Sequence, residues 1–272
     1  DCASSHHLWE ALEETSSQPV TKLMKSWVEQ PGHPVVEVKR EGGRLHFTQS
    51  RFTFLANEFN QEWLIPIHIE LFYGNGKSDQ VSCLMEERDA HIEIGEEVVA
   101  YKVNFAQTGF YRVFYQNSEN LEALGRKVSE KGLSPEDRWG LQNDLYAMVR
   151  AGKATLSDYL DFLTYYAHED AYLPMTSITS NLYHAYLVME GEDREKIASL
   201  GQSLIEGLLE KIGYDPTENE RHTVSILRDQ ILWHAAIYGS DRALAFASDK
   251  FQALLHGGEA VHADIMKSVM RI

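Results

Sequence analysis

Ile65-Pro66-Ile67-His68-Ile69-Glu70-Leu71 sets apolar residues at every second position, and Tyr73-Gly74-Asn75-Gly76 closes the run. A strand points successive side chains to opposite faces, so this period of two marks a strand. The tetrapeptide after it reads as hairpin punctuation. Working outward, Val99, Tyr101, Val103 and Phe105 alternate with Ala100, Lys102 and Asn104. Shorter alternations occur at Val36/Val38, Leu45/Phe47 and Ile92/Ile94, and Glu41-Gly42-Gly43 is a second hairpin signal. Gly42 and Gly43 supply positive φ without a Cβ clash. The spacing predicts about seven strands over 35–115, the density of an antiparallel sandwich. Pro66 has no N–H for a ladder, so it belongs at an edge or a bulge.

On either side the period is helical. Leu8, Ala11 and Leu12 share one helix face, and Leu23, Met24 and Trp27 share another. Ser16-Ser17-Gln18-Pro19 breaks the two helices, and Gln30-Pro31-Gly32-His33-Pro34 ends the segment. From residue 119 helical spacing runs to the end. Ser134-Pro135-Glu136-Asp137 and Thr155-Leu156-Ser157-Asp158 are capping signatures. Leu141, Leu145, Met148 and Val149 follow the first, and Tyr159, Leu160, Leu163 and Tyr166 the second. Further helices are predicted near 173–190, 193–212, 218–238, 241–256 and 259–271. Stop signals fall at Gly152, Gly191, Gly213, Gly239 and Gly257-Gly258. Such a row of helices is a bundle or an α-solenoid. The expected organisation is therefore a multidomain α and β chain, with boundaries near 34 and 118.

The 272 residues are 43% hydrophobic and 24% charged, which excludes a disordered chain. Lys and Arg number 25 against 41 Asp and Glu, a balance of −16. Both halves are acidic: 1–118 carries 10 basic and 17 acidic residues, and 119–272 carries 15 and 24. That argues against a nucleic-acid partner, since phosphate binding needs clustered cations. No run approaches the roughly 18 apolar residues of a membrane helix. Asp1-Cys2-Ala3-Ser4-Ser5-His6-His7 has no signal-peptide pattern and no initiator Met, so the chain reads as a fragment. Two distant cysteines, Cys2 and Cys83, suggest neither a disulfide framework nor a thiolate zinc site. With the acidity, they point to the cytoplasm.

No active site is legible. A zinc-peptidase helix needs His-Glu-x-x-His, so that both imidazoles face one metal. Only His168-Glu169 begins that way, and Tyr172 stands at the second ligand position, leaving a polar helix end. His6-His7 point to different helix faces, and His256 and His262 flank a Gly-Gly break. Cys83 reads as a small buried hydrophobe. Glu86-Glu87 and Glu96-Glu97 read as solvated turns, and Phe110-Tyr111 and Tyr165-Tyr166 as core. No residue is assigned a catalytic, metal-ligating or substrate-binding role.

Seven strings, in order over 1–175, resemble the C-terminal part of the aminopeptidase N family of zinc metallopeptidases. They are Leu8-Trp9-Glu10-Ala11-Leu12; Trp27 to Val36 with its Gln-Pro-Gly-His-Pro core; Gln49-Ser50-Arg51-Phe52; and Trp63-Leu64-Ile65-Pro66. Asn104 to Tyr115, Asp137-Arg138-Trp139-Gly140-Leu141-Gln142-Asn143-Asp144 and His168 to Met175 complete the set. His33 departs from an aromatic position of the family and Met175 from a Trp. The resemblance implies the helical tail of a catalytic domain (1–33), a β-sandwich (34–118) and an incomplete HEAT/armadillo-like solenoid (119–272). It implies an enzyme that trims N-terminal residues from peptides, with zinc bound upstream and none held here. The implied partners are the upstream catalytic domain and peptide substrates, and the helical region would close over the cleft. The competing expectation is an inactive scaffold or binding module.

Overall fold

The computed structural model describes residues 4–55, 60–258 and 261–272. Cys2 and the start of the predicted 259–271 helix lie outside them. Two short helices come first, α1 (Ser5–Ser16) and α2 (Val20–Val28). Ser17, left-handed at φ 55°, ends α1, and Pro19 is the N-cap of α2. Seven strands follow: β1 (Pro34–Glu41), β2 (Arg44–Arg51), β3 (Ile65–Tyr73), β4 (Ser78–Met85), β5 (Asp89–Glu93), β6 (Val98–Val103) and β7 (Arg112–Tyr115). The rest is helical: α3 (Ser118–Ser129), α4 (Pro135–Arg150), α5 (Leu156–Leu163), α6 (Tyr172–Val188), α7 (Gly191–Ile212), α8 (His222–Ile237), α9 (Asp241–Leu255) and α10 (Ala263–Arg271).

The chain divides into two compact units. The first comprises Asp1–Gly125 and Ala147–Ala154. Its strands form a four-stranded sheet, ordered β5-β2-β1-β7, and a three-stranded one, ordered β4-β3-β6. Val36, Val38, Leu45 and Phe47 of the first sheet and Ile65, Ile67, Ile69 and Leu71 of the second fill one core. Each such fully buried side chain is worth about 1.5–3 kcal/mol. Val35, on the opposite face of β1, packs with Phe52, Ala147 and Met148. The β1–β2 hairpin turns on Gly42 at φ 59°. A Cβ on Gly43 would lie 3.3 Å from the Gly95 backbone.

Three features differ from the expected antiparallel sandwich. β7 pairs with β1 in parallel, from Val35↔Arg112 to Val38↔Tyr115. β6 carries a bulge: Phe72 faces Ala100 but Tyr73 faces Val98, so Val99 is the extra residue. The inward set is therefore Val98, Tyr101 and Val103, and Val99 turns outward at 54% exposure. Phe105 leaves the strand in a single turn of 3-10 helix. Pro66 lies in a central strand rather than at an edge, yet β6 pairs with β3 only from Ile69 onward. One side of Pro66 is thus unpaired, which is what its missing N–H requires.

The second unit comprises Arg126–Tyr146 and Thr155–Ile272. Asp137 N–H donates to Ser134 Oγ at 3.1 Å at the start of α4, and Thr155 and Asp158 form a reciprocal box at α5. Packing centres on α8, which touches α6, α7, α9 and α10. Gly191 opens α7 rather than ending α6, which stops at Val188. Among the described residues no helix is long and apolar enough to cross a membrane.

Candidate functional site

The first unit holds an apolar cleft of about 440 Å³. Leu23, Met24 and Trp27 of α2 form one wall, Pro66 and His68 of β3 another, and Thr108 to Tyr111 the rim. Trp27 is fixed by its Nε1–H, which donates to Leu64 O at 2.9 Å, and lies 6.3 Å from the rings of both Trp63 and Phe110. The rim is a strained turn. Asn104, Ala106 and Gln107 all have positive φ. Asn104 holds it together: its Oδ1 accepts from Gly109 N–H at 2.8 Å, and its Nδ2 donates to Gly109 O and Tyr111 O. The turn buries Tyr111 and leaves Phe110 73% exposed, so the expected burial of both rings holds only for Tyr111. Leu8, Leu12 and Val28 are also exposed, and neither α1 nor α2 has a buried residue. His33 packs 5.4 Å from Phe52 and 5.5 Å from Phe110. Burial, then Arg112 and Arg51, push its pKa down, which favours a neutral ring used as an aromatic. The cleft offers shape and apolar surface, the chemistry of docking a side chain.

The second unit is locked by buried charge. Arg138 meets Glu169 through Nε at 2.6 Å and Nη2 at 3.0 Å, a bidentate pair. Glu169 Oε1 also accepts from the N–H groups of Asp170 and Ala171, and Tyr166 Oη–H donates to Arg138 O. Arg228, fully buried, donates to Glu220 from both terminal nitrogens and to Gly213 O and Ile212 O at the end of α7. Those bonds hold the Glu220 carboxyl down at about 2. Gln142 accepts from Tyr159 Oη–H at 3.0 Å and from Asn181 Nδ2 at 3.1 Å.

These contacts place the remaining candidates. Glu169 is not the solvated helix end its sequence suggested, because Arg138 folds onto it, while His168 is exposed. His6 pairs with Glu10, whereas His7 Nδ1 accepts from Ser4 N–H, so the two diverge. His256 caps the end of α9 and His262 the start of α10. Cys83 is half-buried against the sandwich core, and burial pushes its thiol pKa up. Glu86 pairs with Lys22 at 3.0 Å, and Glu87, Glu96 and Glu97 are exposed. Tyr166 is buried and Tyr165 only partly so. Among the described residues no three His, Cys, Asp or Glu converge to hold a metal ion.

Residues 100–272 match the model of the ERAP1-like C-terminal domain, and the chain belongs to that family. Several of its relatives are aminopeptidases by name. Aminopeptidase M1 of Arabidopsis thaliana is 30% identical over 271 residues, covering 93% of this chain and 30% of that protein. Tricorn protease-interacting factor F2 of Thermoplasma acidophilum is 32% identical over 250 residues, covering 90% and 30%. Probable aminopeptidase 2 of Sulfurisphaera tokodaii is 29% identical over 252 residues, covering 93% and 30%. This chain thus spans about 30% of the length of each. The resemblance to the aminopeptidase N family read from the seven strings agrees with these matches.

Proposed function

We propose that the chain is the non-catalytic C-terminal region of a zinc-dependent aminopeptidase that removes N-terminal residues from peptides. The observation that carries this reading is the family match over 100–272, joined to two relatives named as aminopeptidases that each cover 93% of the chain. Zinc belongs in this reading to a catalytic domain outside the 272 residues. The proposed layout is a helical tail of that domain (1–33), a sandwich spacer (34–118) and a solenoid (119–272). Contacts of α8 with α6 and α10, as well as with its immediate neighbours, support stacking of helix pairs. The helical region covers the catalytic cleft and limits the entry of long peptides. The cleft beside Trp27, with Phe110 and the uncovered faces of α1 and α2, receives the catalytic domain. Two cysteines in 272 residues and the acidic balance support a cytoplasmic protein.

The test compares this chain with the protein extended to the relatives' length. The extended protein is expected to bind one zinc per chain and to cleave an aminoacyl reporter, while the 272 residues alone do neither. Phe110→Asp is expected to weaken association of the separately expressed catalytic part. Zinc-dependent turnover by the chain alone overturns the reading. So does an extended protein with no zinc and no turnover, which would leave a scaffold or binding module.

A further inference from the structure

We propose that Asn75 is a site of spontaneous covalent modification, at which Gly76 N attacks the side-chain carboxamide and Asn75 becomes a mixture of isoaspartate and aspartate. Nine asparagines occur in the chain, and only Asn75 precedes a glycine. The missing Cβ matters because the attacking nitrogen must swing against Cγ of the residue before it. A Cβ built on Gly76 meets nothing within 4 Å, so the space around the nucleophile is open. Both residues are exposed, at the tip of the β3–β4 hairpin.

The turn sets the electronics as well as the access. Gly76, at φ 80°, donates its N–H to Tyr73 O at 3.1 Å, and Tyr73 N–H donates to Lys77 O. Lys77 N–H donates to Asn75 Oδ1 at 3.0 Å, which draws electron density from the carboxamide carbon. The bond from Gly76 N–H must open before attack. At an exposed tip water replaces it, so the opening costs little. Asn117, which precedes Ser118, has no such freedom. Its Oδ1 accepts from Arg40 N–H at 2.6 Å, and Ser118 begins α3.

The step balances without an oxidant. Gly76 N loses its proton and bonds to Asn75 Cγ, while the Cγ–Nδ2 bond breaks and ammonia leaves with that proton. Water then opens the cyclic imide at either carbonyl. Opening at Cγ gives aspartate, and opening at the main-chain carbonyl carries the backbone through the side chain as isoaspartate. Isoaspartate lengthens a tight loop by one backbone atom, and both products add a negative charge beside Lys77.

The experiment incubates the chain in mildly alkaline buffer and digests it with a glutamate-specific protease. The fragment 71–86, between Glu70 and Glu86, contains Asn75 as its only asparagine. It is expected to gain about 1 Da, as NH₂ is replaced by OH, and to separate into two isomers. The fragment bearing Asn117 should keep its mass, and Asn75→Gln should abolish the gain in 71–86. If 71–86 within the folded chain keeps its mass while a synthetic 71–86 peptide converts, the proposal is overturned. Persistence of the gain in Asn75→Gln also overturns it.

Discussion

Glu220→Gln removes the carboxylate from a guanidinium that has no route to water. Arg228 is 0% exposed, and its partners are Glu220 and the carbonyls of Ile212 and Gly213. Breaking one side of a buried ion pair costs about 3–5 kcal/mol, because the other charge stays buried. The carboxyl itself gives a second estimate. It is held at about 2 against 4.5, chiefly by hydrogen bonding to Arg228. At about 1.4 kcal/mol per unit, that depression corresponds to about 3 kcal/mol. A lowered carboxyl pKa stabilises fully above 4.5, and its contribution disappears as pH falls toward 2. The assay is native-state hydrogen exchange of α7 and α8, which reads local stability without requiring two-state unfolding. At neutral pH, Glu220→Gln should speed exchange about a hundredfold. The gap from wild type should close between pH 4.5 and about 2. A change below about tenfold, or a gap that does not move with pH, refutes the reasoning.

Gly201→Ala should destabilise the second unit by about 1–3 kcal/mol, although alanine favours a helix by about 1 kcal/mol. The new Cβ would lie 2.6 Å from Tyr238 Cε2, and thermal unfolding should show Tyr238→Leu relieving the loss. Asn104→Ala should cost the first unit about 2–3 kcal/mol in urea titration, from four lost side-chain bonds and an alanine forced to φ 57°. Asn104→Gly should recover only the backbone part. His234 is held neutral, its pKa pushed down to about 4, first by burial and then by Arg271 and His184. The unfolded chain therefore binds the proton more tightly, and stability falls as pH drops from 6.5 toward 4. His234→Phe should flatten the unfolding midpoint across that window.

Element type and order were legible because period and punctuation are local. The alternation at Ile65–Leu71 and the Ser134 and Thr155 caps recur as β3, α4 and α5. What stayed hidden depends on partners distant in the chain. The bulge at Val99 is defined only against Phe72 and Tyr73, so the alternation that starts at Val99 does not show that Val99 leaves the face of Tyr101 and Val103. The parallel partner of β7 lies 77 residues earlier. Phe110 read as core because apolar rings usually are, and the Asn104 turn that ejects it is held by bonds no periodicity records. Glu169 carried a usable signal. Arg138 and Glu169 are opposite charges in two of the strings that resemble the family, and each is the other's buried counter-ion.

The parallel register of β1 with β7 has a consequence during synthesis. β2 follows β1 directly and covers one side of it at once. The other side waits for Arg112 to Tyr115, 77 residues after its first partner. At a translation rate of about 5–20 residues per second, that edge stays open for about 4–15 s. An open edge is a template for pairing with another chain. Glu37, Lys39, Arg40 and Glu41 place four charges along this strand. They act as gatekeepers over the interval in which a nascent chain carries Val35-Val36-Glu37-Val38 with one edge still open.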